Sequence, residues 1–93
     1  MYYAYFLLLF NGDVYKGFCN DLKRRIMEHT SGKVTATRNY RPLCLIGYEA
    51  YLLKSDAQRR EKFLKTTEGI KLLKRQYRDI INSKQSSPER KGG

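Results

Sequence analysis

The spacing of hydrophobic and polar residues changes several times along this chain, and the first changes predict a hairpin. Residues 2–10, YYAYFLLLF, are continuously aromatic or aliphatic, which is typical of a strand buried on both faces. Residues 11–13, NGD, favour a tight turn, and residues 14–19, VYKGFC, alternate as a second strand does. We therefore expect two antiparallel strands.

A helix is predicted after the hairpin. Asn20 or Asp21 can cap its first turn, Ile26 and His29 lie on one of its faces, and Gly32 marks its end. Arg25 and His29 are four residues apart and share one side of this helix.

The middle of the chain predicts a loop, a strand and a second helix. Residues 33–42, KVTATRNYRP, are polar and lack a clear period, as expected of a surface loop. Residues 43–52 return to strand character. Ser55 with Gln58 three residues later has the pattern of a capping box, so a helix is predicted from there to about Thr66.

A further helix over 67–82 completes the order β-β-α-β-α-α. This order predicts an α+β fold, with a small three-stranded antiparallel or mixed sheet and helices packed over one side. The length of 93 residues allows one domain. We assign it to residues 1–82 and expect residues 83–93, SKQSSPERKGG, to form a flexible C-terminal tail.

The charge of the chain narrows the class of partner. Nineteen Lys and Arg residues against nine Asp and Glu give a formal net charge of +10. Positive charges at this density repel one another in a compact fold, which favours a polyanionic partner. Nucleic acid is the first candidate and an anionic membrane surface the second. A basic protein without such a partner is the alternative.

Two further patterns bear on location. Residues 2–10 are too short for a membrane span and lack the features of a signal peptide. Cys19 and Cys44 have no zinc-site spacing, so we expect buried free thiols in a reducing compartment. Together these patterns favour a cytoplasmic protein without a membrane partner, and no obligate protein partner is evident.

Arg25, His29 and Glu61 are the first candidates for chemistry. A guanidinium can grip a phosphate at two points while an adjacent imidazole donates to or accepts from the same group. A solvated basic helix face with an incidental histidine is the alternative. Glu61 lies on a stripe with apolar residues, so its carboxylate requires a cation, either a neighbouring basic side chain or a metal.

Four short motifs resemble those of the GIY-YIG nuclease family and occur in the same order. They are AYF at residues 4–6, YKG at 15–17, NDLKRRIMEH at 20–29 and RREKFL at 59–64. The resemblance is to the small standalone members and covers roughly residues 2–66.

The resemblance implies roles for individual residues. Tyr5 and Tyr15 match the tyrosines of the first and second motifs, and Gly17 matches the second motif's glycine, where the backbone would approach substrate closely. Arg25 matches the arginine that contacts the scissile phosphate, and His29 matches a histidine present in many members. The implied reaction is hydrolysis of a DNA phosphodiester by water.

A metal follows from the same resemblance, because Glu61 matches the family's metal-binding carboxylate. One divalent cation, Mg²⁺ or Mn²⁺, is implied, and a single carboxylate suffices for an ion that keeps several waters. Tyr5 is the candidate to orient or deprotonate the attacking water. Its ordinary pKa of about 10 means that deprotonation at neutral pH requires a lowered pKa or the metal.

The chain departs from the family pattern at several positions. Tyr3 and Ala4 stand where the first motif has Gly-Ile, and Lys16 stands where an aliphatic residue is usual. Phe18 occupies a position where some members carry a catalytic lysine, and Leu73 lies where many carry an asparagine. A catalytically weak or inactive nucleic-acid-binding module of the same fold is therefore the alternative to an active nuclease.

The parity of the hairpin loop decides whether the two motif tyrosines can share a site. A two-residue loop would place Tyr5 and Tyr15 on opposite faces of the sheet. A three-residue loop over 11–13 would oppose Tyr5 to Cys19 and place both tyrosines on the face of Gly17. We expect the odd-length loop, or a bulge that restores the same parity.

Basic residues in the central loop and the last helix could track a phosphate backbone without reading bases. A solvated surface is the alternative for each group. The candidates for nucleic-acid binding are Lys33, Arg38, Arg41, Lys71, Arg75 and Arg78.

Overall fold

The computed structural model describes residues 1–86. Within that range the secondary-structure elements are β1 (Tyr2–Leu8), β2 (Val14–Cys19), α1 (Leu22–Thr30), a 3₁₀ helix (Arg38–Tyr40), β3 (Cys44–Tyr51), α2 (Lys54–Phe63), α3 (Thr67–Gln76) and α4 (Arg78–Ser86). The predicted order is confirmed, with the last helical segment divided in two.

The three strands form one antiparallel sheet in the order β2-β1-β3. The central strand is the continuously apolar one, and Ala4 to Leu8 are buried without interruption. A central strand covered on both faces has no exposed side, which explains why β1 lacks the polar alternation of its neighbours. The prediction of a strand buried on both faces is confirmed.

The hairpin has the predicted parity but begins one residue earlier than expected. The Leu9 amide donates to the Asp13 carbonyl (2.9 Å), which leaves Phe10, Asn11 and Gly12 as a three-residue loop. Gly12 has a φ of 92°, the left-handed conformation that the third residue of such a loop adopts. The glycine therefore decides where the loop lies, and the predicted loop over 11–13 is wrong by one position.

The register that follows sets the two faces of the sheet. Tyr5 lies opposite Gly17, not Cys19, and Leu7 lies opposite Tyr15. Both motif tyrosines therefore share one face with Gly17. We call this the α1 face, because α1 packs on it.

The other face, which we call the α2 face, carries the apolar core under α2 and α3. Alternate residues of β1, beginning with Ala4, point toward these helices. The core cluster consists of Ala4, Phe6, Leu8, Val14, Leu64 and Leu73. Helices thus lie on both faces of the sheet, and the expectation that they pack over one side is wrong.

Two helix boundaries also differ from the prediction. The second helix begins at Lys54 with no side-chain cap, so the capping box of Ser55 and Gln58 is not formed. The predicted helix over 67–82 divides at Tyr77, whose φ of −107° and ψ of 23° interrupt the helical backbone. The Tyr77 ring packs against Phe6 (centroids 5.7 Å apart), so the interruption coincides with a core contact.

The last described element is α4. Helix α4 continues to Ser86, into the segment expected as a tail, and residues 87–93 lie outside the described range. None of the helices within residues 1–86 has the length and apolar character needed to cross a membrane. Cys19 and Cys44 are free thiols, each half-buried.

Candidate active site

Helix α1 carries two of the predicted site residues over the sheet, and its position is set by how it begins and ends. The Asp21 side chain accepts a hydrogen bond from the Arg24 amide (3.1 Å) and caps the first turn. Gly32, with a φ of 85°, follows the last turn and lets the chain leave in another direction. Between these ends, Arg25 and His29 project from one side of α1 toward the α1 face.

A continuous hydrogen-bonded chain joins this helix to the central strand and to the loop. The Tyr5 hydroxyl is 2.8 Å from His29 Nε2, and Arg25 Nε donates to the same hydroxyl (3.3 Å). His29 Nδ1 is 2.8 Å from the Thr37 hydroxyl. Tyr5, His29 and Thr37 are buried, whereas the Arg25 side chain is 36% exposed. Arg25 is therefore the most exposed member of this hydrogen-bonded chain.

Tyr15 completes the cluster through ring contacts. Its ring centroid lies 5.2 Å from that of His29 in an edge-to-face arrangement, and 6.4 Å from that of Tyr5. Such contacts fix the orientation of the imidazole between the two tyrosines. The structure thus brings together four of the predicted site residues: Tyr5, Tyr15, Arg25 and His29.

Gly17 is explained by a contact inside the protein. A Cβ atom built on Gly17 would lie 2.3 Å from Cζ of Tyr5 and 2.4 Å from its hydroxyl. The Tyr5 ring therefore crosses directly over the opposed glycine to reach His29. The close approach at Gly17 is made by Tyr5, while an approach by substrate stays a prediction.

Burial sets the protonation of the central pair. Burial raises the pKa of Tyr5 to about 12, despite the opposing effect of the Arg25 hydrogen bond. Burial also lowers the pKa of His29, and the positive charge of Arg25 lowers it further. Both groups are therefore neutral at pH 7 in the free protein. A phenol with a raised pKa is suited to orienting a water molecule and poorly suited to deprotonating it.

The Arg25 guanidinium keeps donors available. Its Nε donates to Tyr5 and its Nη1 donates to Glu28 (2.9 Å), and these two bonds raise the pKa of Arg25. Among residues 1–86 no hydrogen bond occupies Nη2, so this amino group can donate to an anion. A phosphate oxygen matches this donor in charge and geometry.

Comparisons with known proteins identify the family of the chain. A family model described as the GIY-YIG catalytic domain matches residues 1–76. The chain belongs to the GIY-YIG family. The proteins of Bacillus pumilus and Clostridium perfringens named UPF0213 protein are 39% and 33% identical to it, over 66 and 90 residues. These matches cover 70% and 96% of this chain, and 67% and 91% of the respective relatives.

A solved structure of a relative is also similar to this chain in fold. The solution structure of a UPF0213 protein from Bacillus halodurans is similar to this chain with a TM-score of 0.51 and 34% sequence identity. The match covers 78% of this chain and 82% of that one. The chain is therefore a small GIY-YIG nuclease-family domain in sequence and in fold.

Glu61, the residue predicted to bind a metal, lies on a helix of the sheet face opposite the tyrosine cluster. It is on α2, across the sheet, and its carboxylate forms an ion pair with Lys65. Burial lowers the pKa of Lys16, which lies opposite Phe6 on β2, and the positive charge of Lys65 lowers it further. The ion pair of Glu61 and Lys65 is therefore within electrostatic reach of Lys16 on the edge strand β2. No hydrogen bond or ion pair within residues 1–86 joins Glu61 to Tyr5, Tyr15, Arg25 or His29.

The donor set at Glu61 is compatible with one hard cation of low protein coordination. No group of three or more His, Cys, Asp or Glu side chains in the described residues could hold a metal. Mg²⁺ nevertheless often binds through one carboxylate, waters and substrate phosphate. The Lys65 side chain is 54% exposed on a flexible stem, so it can leave a carboxylate that is itself only 14% exposed.

The predicted nucleic-acid contacts divide between the two sides of the sheet. Lys33, Arg38 and Arg41 are exposed in the loop that supplies Thr37, beside the tyrosine cluster. The Arg41 guanidinium donates to the carbonyls of Arg38 and Thr30, so it also holds this loop against α1. We call these three residues the loop cluster.

The other predicted contacts are exposed on the helices of the α2 side. Lys71 and Arg75 lie on α3, and Arg78 begins α4 and lies 3.9 Å from Asp79. The break at Tyr77 separates Arg78 from the helix that was expected to carry all three. We call Lys71, Arg75 and Arg78 the helix cluster.

Sequence reasoning missed two residues of the site. Thr37 was placed in a surface loop, yet it is fully buried against His29. Glu28 pairs with Arg25 and lies 3.9 Å from Arg24. The spacing of Arg25 and Glu28 on one helix could have indicated their pairing. No periodicity in the loop marks Thr37.

Proposed function

We propose that this protein is a divalent-metal-dependent endonuclease that hydrolyses phosphodiester bonds in DNA, selecting branched or damaged structures of the kind met in repair and recombination. Membership of the GIY-YIG nuclease family supports a nuclease acting on nucleic acid. The single observation that carries the proposal is the convergence of Arg25 and His29 on the Tyr5 hydroxyl. Each unpaired member of this buried chain would cost free energy, so the side chains hold one another in one defined arrangement.

Each residue of the cluster has a role that its environment permits. Arg25 donates to a phosphate oxygen and offsets the negative charge that builds on the phosphoryl group during attack. Tyr5, neutral at pH 7, orients the attacking water through its hydroxyl oxygen. Tyr15 and His29 hold that hydroxyl in place and shape the pocket for the phosphate.

Glu61 is the residue that would hold Mg²⁺ or Mn²⁺. When bound, the cation supplies a positive charge that stabilises the departing oxygen. β2 is an edge strand of the sheet, so a ligand beside its outer edge can reach groups on both faces. This supports the pairing of Glu61 with the tyrosine cluster. A phosphate located there has access to groups on either side.

The proposal is tested by nicking of supercoiled plasmid and cleavage of branched oligonucleotides, with Mg²⁺ or Mn²⁺ and with chelator. We expect cleavage only with the metal, and faster cleavage of the branched substrate. Glu61→Gln should abolish cleavage while DNA binding is largely retained, since the loss of several kcal/mol falls on the reaction and not on the fold.

The matched control is Glu68→Gln, an exposed carboxylate in the first turn of α3. It should cleave at the wild-type rate. Cleavage that survives both chelation and Glu61→Gln would contradict the metal-dependent mechanism.

A nucleic-acid-binding module of weak or absent activity is the second candidate, and the ion pair between Lys65 and Glu61 favours it. In that case the carboxylate stays neutralised by the lysine and no cation binds. The same assay separates the two functions, because the module would bind DNA with or without the metal and would leave it intact.

A further inference from the structure

Thr37 is fully buried against His29 and does not cap the helix that it precedes. It precedes the 3₁₀ helix, a position where a threonine hydroxyl commonly caps the first turn, but its side chain makes no cap hydrogen bond. The hydroxyl instead lies 2.8 Å from His29 Nδ1. Thr37 and His29 are also the two polar side chains in the described chain that are completely buried.

The backbone around Thr37 holds this hydroxyl in position. The Thr37 amide donates to the Val34 carbonyl (3.2 Å), and the Thr37 carbonyl accepts from the Tyr40 amide (2.9 Å). Arg41 fastens the same loop to the end of α1 through the Thr30 carbonyl. The loop therefore presents Thr37 to His29 from a fixed backbone.

A neutral imidazole allows two arrangements of protons in this chain. In the first, the Tyr5 hydroxyl donates to Nε2 of His29, and Nδ1–H donates to Thr37. In the second, Thr37 donates to Nδ1, and Nε2–H donates to Tyr5. The two arrangements differ in which ring nitrogen carries the proton.

The partners of Tyr5 favour the first arrangement. A guanidinium is only a donor, so the Tyr5 oxygen already accepts from Arg25. Of the two side chains bonded to Tyr5, only His29 can accept the hydroxyl proton. A phenol is also a stronger donor and a weaker acceptor than an alkyl alcohol, so the phenol belongs on the accepting nitrogen and the alcohol on the N–H.

We propose that Thr37 is a positioning residue of the active site: it accepts a hydrogen bond from Nδ1–H of His29 and so keeps Nε2 as the acceptor for the Tyr5 hydroxyl. Because the Tyr5 hydroxyl donates its hydrogen bond to His29, its oxygen keeps a lone pair with which to accept a hydrogen bond from the attacking water. The catalytic part of this role rests on the proposed nuclease function, whereas the proton arrangement is a property of the free protein.

The arrangement is measured directly by ¹⁵N NMR of the imidazole at neutral pH. His29 is the chain's one histidine, so its two ring nitrogens need no further assignment to a residue. We expect a pyrrole-type signal from Nδ1 and a pyridine-type signal from Nε2. The reverse pattern in the wild-type protein would overturn the proposal whether or not the protein cleaves DNA.

Variants of Thr37 test the consequence for the reaction. Thr37→Val keeps the shape but removes the acceptor, so we expect mixed tautomers in the NMR spectrum and a loss of about tenfold or more in kcat with KM little changed. Thr37→Ser restores a hydroxyl and should recover the single tautomer and most of the turnover. Thr35→Val, an exposed change in the same loop, is the control and should match wild type.

The outcomes separate this proposal from the proposed function. An unchanged single tautomer in Thr37→Val, or a failure of Thr37→Ser to restore it, would refute the positioning role. If the wild-type protein cleaves no DNA under any condition, the nuclease proposal fails and the tautomer measurement still decides the role of Thr37. If Thr37→Val does not fold, the wild-type spectrum and that of Thr37→Ser decide it.

Discussion

Gly17 and Gly47 flank the central strand on opposite faces of the sheet, and a tyrosine ring fills the space above each. Gly17 lies opposite Tyr5 on β2, and a Cβ there would meet the Tyr5 ring. Gly47 lies opposite Phe6 on β3, and a Cβ there would lie 2.0 Å from the Tyr77 hydroxyl. A glycine covered by a tyrosine ring therefore occurs on both faces of the sheet, in two different environments.

The two environments differ in the interactions that stabilise them. On the α2 face, Phe6 and Tyr77 belong to an apolar cluster stabilised by burial, which has no directional requirement. On the α1 face, Tyr5 belongs to a chain of hydrogen bonds whose members must be placed within a fraction of an ångström. Adjacent residues of one strand thus serve two different environments, an apolar core on one face and a hydrogen-bonded polar cluster on the other.

The largest effect that separates the faces should come from the core. Phe6→Ala removes a fully buried ring, so we expect the free energy of unfolding to fall by about 3–5 kcal/mol. Chemical denaturation measures this loss. Phe6→Leu, which retains most of the volume, should lose clearly less. Equal losses in the two variants would show that Phe6 is not packed as described.

The next effect belongs to the α1 face and concerns rate rather than stability. Arg25→Ala should lower the cleavage rate by about 10²-fold or more, because in the proposed mechanism it removes a charge aimed at the reacting phosphate. Its neighbour Arg24, whose side chain is 68% exposed, provides the control. Arg24→Ala should change the rate little, and similar rates in the two variants would remove Arg25 from the mechanism.

The glycine pair compares the faces with one type of substitution. Gly17→Ala and Gly47→Ala should each cost about 1–3 kcal/mol of stability, because a packed ring must shift. Only Gly17→Ala should also lower cleavage in the protein that remains folded, since it displaces the Tyr5 hydroxyl. Thermal unfolding and the nicking assay measure the two quantities. A cleavage defect of the same size in Gly47→Ala would contradict the division between faces.

The smallest effects concern surface charge. DNA affinity should fall on the order of tenfold or more between about 50 and 200 mM salt if basic residues track phosphates. Arg38→Ala, in the loop cluster, should weaken binding and cleavage together, because it lies on the side of the tyrosine cluster. Arg75→Ala and Arg78→Ala, in the helix cluster, should weaken binding for all DNA sequences alike. An affinity independent of salt would argue against both clusters.

Much of the site follows from short-range patterns in the sequence. The alternation of residues 14–19 and the apolar run of β1 set the strands, and the positive φ of Gly12 fixes an odd hairpin loop. That parity alone places Tyr5 and Tyr15 on one face. Arg25 and His29 share a helix face because they are four residues apart. These features depend on neighbours within a few residues, which is why the sequence predicts them.

Tertiary structure decided the rest, because it depends on residues distant in the chain. Thr37 is buried against His29, eight residues earlier, a contact that forms only when the loop and α1 are both in place. Glu61 pairs with Lys65 and lies across the sheet from the tyrosines, because α2 packs on the α2 face. The predicted last helix is interrupted where Tyr77 packs against Phe6 and over Gly47. Periodicity determines which residues share a face, and packing determines what that face meets.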